Sequence, residues 1–361
     1  MALTDYLTLG RSGLRVSPLC LGAMTFGSDW GWGADVPESE AMIAHYLDAG
    51  GNFIDTANGY TRGHSEVIIG DLLARTPGLR DRTVLATKFS TNLFPGDPNA
   101  GGAGRKNIIA SCEESLRRLR TDYIDLYWMH FWDPHTPIDE TLRALDDLVR
   151  AGKVRYVGVS DTPAWKVAQA QVLADLRGWS RFIGLQIEYS LIERTVEGEL
   201  VPMALELGLG ITPWSPLRGG VLTGKYTRQN AAAATPGRGD RVKAYFTDRT
   251  FDIVDTLIRI AGELGTSPVA VAVAWVQARR GVTSTIVGAR TVAQLDQNLA
   301  ALEVTLGGDH ISALDAVSTP TLGFPIPFLN FTAMIAQGGT TVNGVPSVAW
   351  PLAPQPGMPR Y

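Results

Sequence analysis

One local pattern, a short apolar run followed by an amphipathic segment, recurs eight times along this chain, and few architectures accommodate it. Val16 to Leu21 leads to a helix over about Glu38 to Ala49, and Phe53-Ile54 to a helix near Glu66 to Ala74. "RTVLATK" (Arg82 to Lys88) precedes a helix over about Asn107 to Leu119, whose basic last turn suits the negative end of the helix dipole. Asp122 to His130 precedes Asp139 to Ala151, Lys153 to Ser160 precedes Pro163 to Leu176, and Phe182 to Ser190 precedes Glu197 to Glu206. Leu209 to Leu217 precedes helical sequence from about Phe251, and Gly281 to Arg290 precedes Val292 to Leu302. Strands alternating with helices imply a parallel sheet, and continuous apolar runs without period-two alternation imply strands covered on both faces. Eight such units in 361 residues, with no Gly-x-Gly-x-x-Gly after the first strand, predict an α/β fold closed into a (β/α)8 TIM barrel rather than an open doubly wound sheet. Ahead of it, "YLTLGRSGLRV" reads as an N-terminal β-hairpin placed to close the bottom of the barrel.

Three segments are too long for plain connections: Thr91 to Lys106, Arg228 to Thr247, and a Pro- and Gly-rich tail from about Thr319 to Tyr361. The first two follow the third and seventh strands and therefore overhang the face where a barrel keeps its chemistry. The expected division is a barrel over residues 1–318 and an extension over 319–361. Phe324, Phe328, Phe331 and Trp350 make the extension too apolar for a solvated tail, so it is expected to pack on the barrel or on a neighbouring subunit.

Composition excludes several partners. A net charge of -4 gives no electrostatic reason to expect nucleic acid, and no apolar run is long enough to span a bilayer. The cysteines, Cys20 and Cys112, form no CxxC, and no His cluster has zinc-ligand spacing, so neither a disulfide framework nor a structural metal is expected. No apolar segment stands behind a basic start at the N-terminus, so the expected setting is cytoplasmic and the expected partner a small molecule, with a homo-oligomer left open.

In a barrel the strand ends point at one shared mouth. Those ends carry Asp55, Lys88, His130, Ser160 and Gln186, with Tyr60 in the loop after Asp55. Alone, each has an ordinary structural reading: a turn-forming Asp, a capping Lys, a packed Tyr, a core or surface His. Together Asp, Lys, Tyr and His form a proton-transfer apparatus. A tyrosine of pKa about 10 donates poorly at neutral pH unless a neighbour stabilises its phenolate. Lys88 is placed for that, and Asp55 for keeping Lys88 charged in a partly dry pocket. His130 is placed to hydrogen-bond a substrate carbonyl. A different chemistry, a Schiff-base lysine at Lys88 in a barrel aldolase, requires a depressed lysine pKa and no cofactor.

The sequence resembles the aldo-keto reductases from about Leu9 to Leu302. The motifs that carry the resemblance are "LGAMTFG", "NFIDTANGY", "LATK", "YIDLYWMH", "GKVRYVGVSD", "LQIEYSL", "PWSPLRGGVLTGKY" and "VGARTVAQLDQNL". The resemblance implies that Asp55, Tyr60, Lys88 and His130 are the catalytic four, with Tyr60 the general acid, and that a nicotinamide cofactor binds on the barrel without a Rossmann fold. By the same resemblance Ser160, Asp161 and Gln186 hold the carboxamide, and Trp214 stacks on the ring. Ser215, Pro216, Leu217, Gly219, Gly224 and Lys225 wrap the pyrophosphate, while Gly288, Arg290, Gln294 and Asn298 take the adenosine end. Asp161 stands where many relatives carry Asn. Arg290 suits a 2′-phosphate, so NADPH is expected, with NADH the alternative. Read from the residues alone, Trp214 fits core packing and Arg290 a solvated helix-start charge. Phe26, Trp30, Trp32, Phe89, Phe131 and Trp132 are candidates to line a roomy apolar site for an aromatic aldehyde or bulky ketone, each also suited to the core. The expected activity is reversible reduction of a carbonyl to an alcohol. The alternative is a cofactor-binding regulatory or redox-sensing subunit with slow or no turnover, as in the potassium-channel β subunits that the chain also resembles.

Overall fold

The computed structural model describes residues 1–230, 242–354 and 357–358. Most of the long Arg228 to Thr247 connection and the last residues of the tail therefore lie outside the described residues. The chain divides into two compact units, Met1–Thr319 and Pro320–Tyr361.

The first unit opens with the expected hairpin, β1 (Leu7–Thr8) antiparallel to β2 (Arg15–Val16). Eight parallel strands follow: β3 (Leu19–Gly22), β4 (Phe53–Asp55), β5 (Val84–Phe89), β6 (Ile124–Met129), β7 (Val154–Ser160), β8 (Phe182–Glu188), β9 (Gly210–Trp214) and β10 (Thr285–Gly288). They hydrogen-bond in the order β10-β3-β4-β5-β6-β7-β8-β9. The ring closes just ahead of β10: Thr283 N donates to Ile211 O at 2.8 Å, and Ile211 N donates to Gly281 O at 3.0 Å. A helix covers each crossover, including Val36–Asp48 between β3 and β4 and Arg105–Leu119 between β5 and β6. The first of these starts two residues ahead of the sequence expectation because the Asp35 carboxylate accepts from Glu38 N and Pro37 sits in the first turn, both start signals. No single helix among the described residues is long and apolar enough to cross a membrane.

The barrel interior is a packed core of Leu9, Val16, Cys20, Phe53, Val84, Ala86, Leu126, Trp128, Ile183 and Ile286. Leu9, from the hairpin, is fully buried there, and Arg11 N donates to Gly208 O at 2.8 Å, so the hairpin seals the end where the strands begin. The indole of Trp128 fills the middle because β7 and β8 place glycines beside it. A Cβ on Gly158 would lie 2.3 Å from the ring, and one on Gly184 2.8 Å.

Side chains two apart on a strand share a face. Phe53, Ala86, Trp128, Gly158 and Gly184 face the interior, so the inward residues one step further are Asp55, Lys88, His130, Ser160 and Gln186. The layer above the apolar plug is polar, and it lies at the C-terminal mouth. The second unit contains short helices Ile326–Leu329 and Thr332–Gln337 and a small antiparallel pair, Thr341–Val342 with Val345–Pro346.

Candidate active site

Lys88 is the hub of the mouth. Its side chain is fully buried, and the three protons of its ammonium are all engaged. One goes to Asp55 Oδ2, one to the Thr56 carbonyl at 2.8 Å and one to the Tyr60 hydroxyl at 3.2 Å. The other Asp55 oxygen, Oδ1, accepts from Gln186 Nε2 at 3.1 Å. Asp55 is thereby held between β5 and β8, and it in turn fixes the ammonium.

Tyr60 begins a tight turn after β4 in which Thr61 (φ 46) and Arg62 (φ 61) both adopt left-handed backbone. Such residues cost about 1–2 kcal/mol each, so something must hold them. Thr61 does so from both sides, donating to Phe26 O at 2.9 Å and accepting from Ser65 N at 3.0 Å. The turn aims the Tyr60 ring edge-on at His130, with centroids 5.8 Å apart.

The electrostatics separate the roles. Burial alone would lower the Lys88 ammonium, but Asp55 and Tyr60 more than offset it and hold it above its usual range, so it stays charged. That is the opposite of what a Schiff-base lysine requires, and the aldolase alternative falls with it. Burial and then the Lys88 charge push His130 down to about 3, leaving a neutral imidazole that serves as a hydrogen-bond partner and not as an acid. Its Nδ1 is buried with no partner among the described residues. The Tyr60 phenol corrects a detail of the sequence reading. Burial raises it, Lys88 pulls it back in part, Asp55 adds a smaller upward push, and the net direction is upward. Tyr60 rests as a neutral phenol with its proton in place.

A cleft of about 700 Å³ opens over this group. Asp55, Tyr60, His130, Ser160, Asp161, Gln186, Trp214, Ser215, Pro216, Leu217, Gly219, Lys225, Gly288, Arg290, Gln294 and Asn298 all line it. Lys88 lies behind the wall, and Gly224 is the expected cofactor residue that the wall leaves out. The sequence reading missed Gly22, Ala23, Met24 and Thr25 at the end of β3, together with Ser267. The "LGAMTFG" motif was the available signal for the first group. Arg218 was also missed. It ion-pairs with Glu188 at the end of β8 and lies 4.1 Å from the centre of the Tyr245 ring, bracing the 215–224 loop.

The six aromatic candidates for the substrate pocket are placed differently from expectation, since none is on the cleft wall. Phe26 and Phe89 are wholly buried in the cores between sheet and helices, Phe89 against Tyr127, and are corrected to structural residues. Apolar side chains at these positions gain more from packing than from facing an open mouth. Trp30 and Trp32 pack at a tilt, ring centres 5.5 Å apart, in the loop after β3, Phe131 lies exposed beside His130, and Trp132 packs edge-on against Trp165.

The wall fits a dinucleotide on its own evidence. Ser160 Oγ is buried with no hydrogen-bond partner among the described residues, a polar atom suited to an amide. The loop after β9 turns through Gly219 (φ 64) and Gly220 (φ 96), where absent side chains let backbone N–H groups approach an anion. The Arg290 guanidinium makes no ion pair among the described residues, and its main-chain N–H donates to Gln294 Oε1 at 3.0 Å. One end of the cleft holds the proton-transfer group with Asp161 beside it, while the other presents Lys225 and Arg290.

A closed barrel with a Tyr-Lys-Asp-His cluster under a long cleft defines a class of cofactor-dependent oxidoreductases. A family model described as the aldo/keto reductase family matches residues 18–319, and the chain belongs to that family. It is 40% identical over 325 residues to an uncharacterized oxidoreductase, YrpG, of Bacillus subtilis, covering 87% of this chain and 95% of that one. It is 36% identical over 346 residues to norsolorinic acid reductase B of Aspergillus parasiticus, covering 93% and 90%. An aryl-alcohol dehydrogenase [NADP(+)] of Phanerodontia chrysosporium is 34% identical over 333 residues, covering 87% and 85%. The chain is an NAD(P)H-dependent oxidoreductase.

Proposed function

We propose that the protein reversibly reduces an aryl aldehyde or ketone to the alcohol, with NADPH as the preferred cofactor and NADH the weaker one. The observation that carries this reading is the Lys88 ammonium, fully buried, tied to Asp55 and donating to the Tyr60 hydroxyl at the floor of the cleft. When bound, the dihydronicotinamide supplies a hydride to the carbonyl carbon. The chain does the rest. Neutral His130 donates a hydrogen bond that orients the carbonyl oxygen beside Tyr60, and Tyr60 releases its proton to that oxygen as negative charge develops there. Lys88 stabilises the phenolate that remains, which is a demand made in the transition state and not at rest. The upward shift of the resting phenol fits that division, because the proton is kept until the carbonyl arrives.

Ser160 and Gln186 are suited to the carboxamide, Trp214 to the nicotinamide face, the 215–220 loop to the pyrophosphate, and Asn298 to the adenine. The unpaired Arg290 guanidinium favours a 2′-phosphate. Support for aryl substrates comes from the similarity to an aryl-alcohol dehydrogenase. A cytoplasmic setting accords with Cys20 and Cys112, both free and buried.

The test is titration of the protein with NADPH and NADH by tryptophan quenching, followed by NADPH oxidation with a panel of aryl aldehydes and ketones. Tighter NADPH binding with turnover is expected. Binding without turnover on any carbonyl would favour a regulatory subunit, and no binding of either cofactor would remove the assignment of the cleft.

A further inference from the structure

The charged groups around the catalytic end of the cleft mostly cancel. Asp55 is paired with Lys88, Glu188 at the end of β8 is paired with Arg218, His130 is a neutral imidazole, and Tyr60 is a neutral phenol. Asp161 is different. It follows β7 directly, lines the cleft together with Ser160, Gln186 and Trp214, and forms no salt bridge among the described residues. Its carboxylate Oδ1 accepts from the indole Nε1 of Trp214 at 3.1 Å. An indole N–H neutralises no charge, so ionised Asp161 leaves this end of the cleft with one uncompensated negative charge.

The position is built to hold it. Asp161 has φ 40, left-handed backbone that costs an ordinary residue about 1 kcal/mol or more and that Asp tolerates better than most. Asp161 N donates to Gln186 O at 3.3 Å and Asp161 O accepts from Trp132 N at 3.4 Å, which fixes the residue between β8 and the loop after β6. The backbone is thereby fixed, and the Trp214 N–H aims the partly exposed carboxylate along the cleft wall.

We propose that Asp161 sets the redox preference of the cleft, its carboxylate favouring the cationic, oxidised nicotinamide over the neutral, reduced one. The inference rests on the dinucleotide reading of the cleft given above. A nicotinamide ring gains a positive charge when it gives up its hydride, and a carboxylate on the cleft wall attracts that charge. The same carboxylate accepts from the Trp214 N–H, so it also fixes the indole plane that faces the ring. Two consequences follow: carbonyl reduction is drawn toward the alcohol on the enzyme, and departure of the oxidised cofactor is slowed.

The experiment is calorimetric measurement of Kd for NADP+ and NADPH, with wild type and Asp161→Asn, which keeps the shape and the acceptor for Trp214. The ratio Kd(NADPH)/Kd(NADP+) is expected to fall on the order of tenfold in the variant, with NADP+ losing most of the affinity. An unchanged ratio with both forms bound overturns the role of Asp161 while leaving the dinucleotide reading intact. Absence of binding by either form in wild type overturns that reading and this one with it. If the variant does not fold, the wild-type ratio is followed from pH 8 downward. Partial desolvation at the cleft wall raises the Asp161 carboxyl above its ordinary value, against the Trp214 N–H, Lys88 and Ser160, so the ratio is expected to fall on acidification as the carboxylate takes a proton. The groups facing it are the Asp55–Lys88 pair, neutral Tyr60 and neutral His130, and a ratio flat with pH overturns the proposal.

Discussion

The Lys88 ammonium reaches the Tyr60 hydroxyl across 3.2 Å only because Asp55 and the Thr56 carbonyl take its other two protons, so the lysine has a single direction left in which to act. Asp55 acts on the tyrosine through Lys88, and Gln186 acts on Asp55 from the opposite side of the barrel.

Breaking that pair has a calculable cost. Lys88→Met leaves a buried carboxylate without its counter-charge, and stability is expected to fall by about 3–5 kcal/mol in urea unfolding. Adding Asp55→Asn to the same chain removes the orphaned charge, so the double variant is expected to recover much of that loss while remaining without reductase activity. A single variant as stable as wild type would contradict the buried ion pair.

His130 gives a pH prediction of definite sign. Its folded pKa, about 3, is below the unfolded value of about 6.5, so between these values the unfolded chain binds the extra proton. The contribution of His130 to stability is therefore complete above pH 6.5 and is lost as pH falls toward 3. Denaturant unfolding at pH 7 and pH 4.5 is expected to show a smaller acid loss in His130→Gln than in wild type. An identical loss would mean that the imidazole titrates normally.

Arg290 separates the two cofactors. Arg290→Ala is expected to weaken NADPH by about tenfold and to leave NADH within about twofold, because a guanidinium on a 2′-phosphate is a charge-assisted contact that NADH cannot make. Quenching titrations of both cofactors read this directly, and a parallel loss for the two would place Arg290 elsewhere.

The barrel interior yields a stability test far from the chemistry. Gly158→Ala puts a methyl 2.3 Å from the Trp128 ring, which is boxed in by Leu9 and Gly184, so overpacking is expected to cost about 1–3 kcal/mol in urea unfolding. No measurable loss would show that Trp128 has room to move.

The barrel was legible because its strands are apolar on both faces and its helices are not, a contrast that survives in the bare sequence. The residues at the strand ends were legible for a related reason: a charged or polar side chain that terminates an apolar run has few places to go except the mouth. Loops carry no such constraint. Phe26 and Phe89 look as exposed in sequence as Phe131, yet they are buried, since an aromatic ring follows local packing space that only the fold defines. The Glu188–Arg218 pair joins a strand end to a loop 30 positions on, and no periodicity marks it. The upward shift of Tyr60 needed the fold, because it comes first from burial, with Lys88 and Asp55 pulling in opposite directions.

Tyr60→Phe tests the central claim most directly. NADPH oxidation with an aryl aldehyde is measured beside NADPH affinity in wild type and variant. The variant is expected to lose turnover by about 10²–10⁴-fold while binding NADPH as wild type does, since the lost hydroxyl acts only on the carbonyl oxygen. Turnover equal to wild type would contradict Tyr60 as the proton donor and, with it, the role given to Lys88 and Asp55.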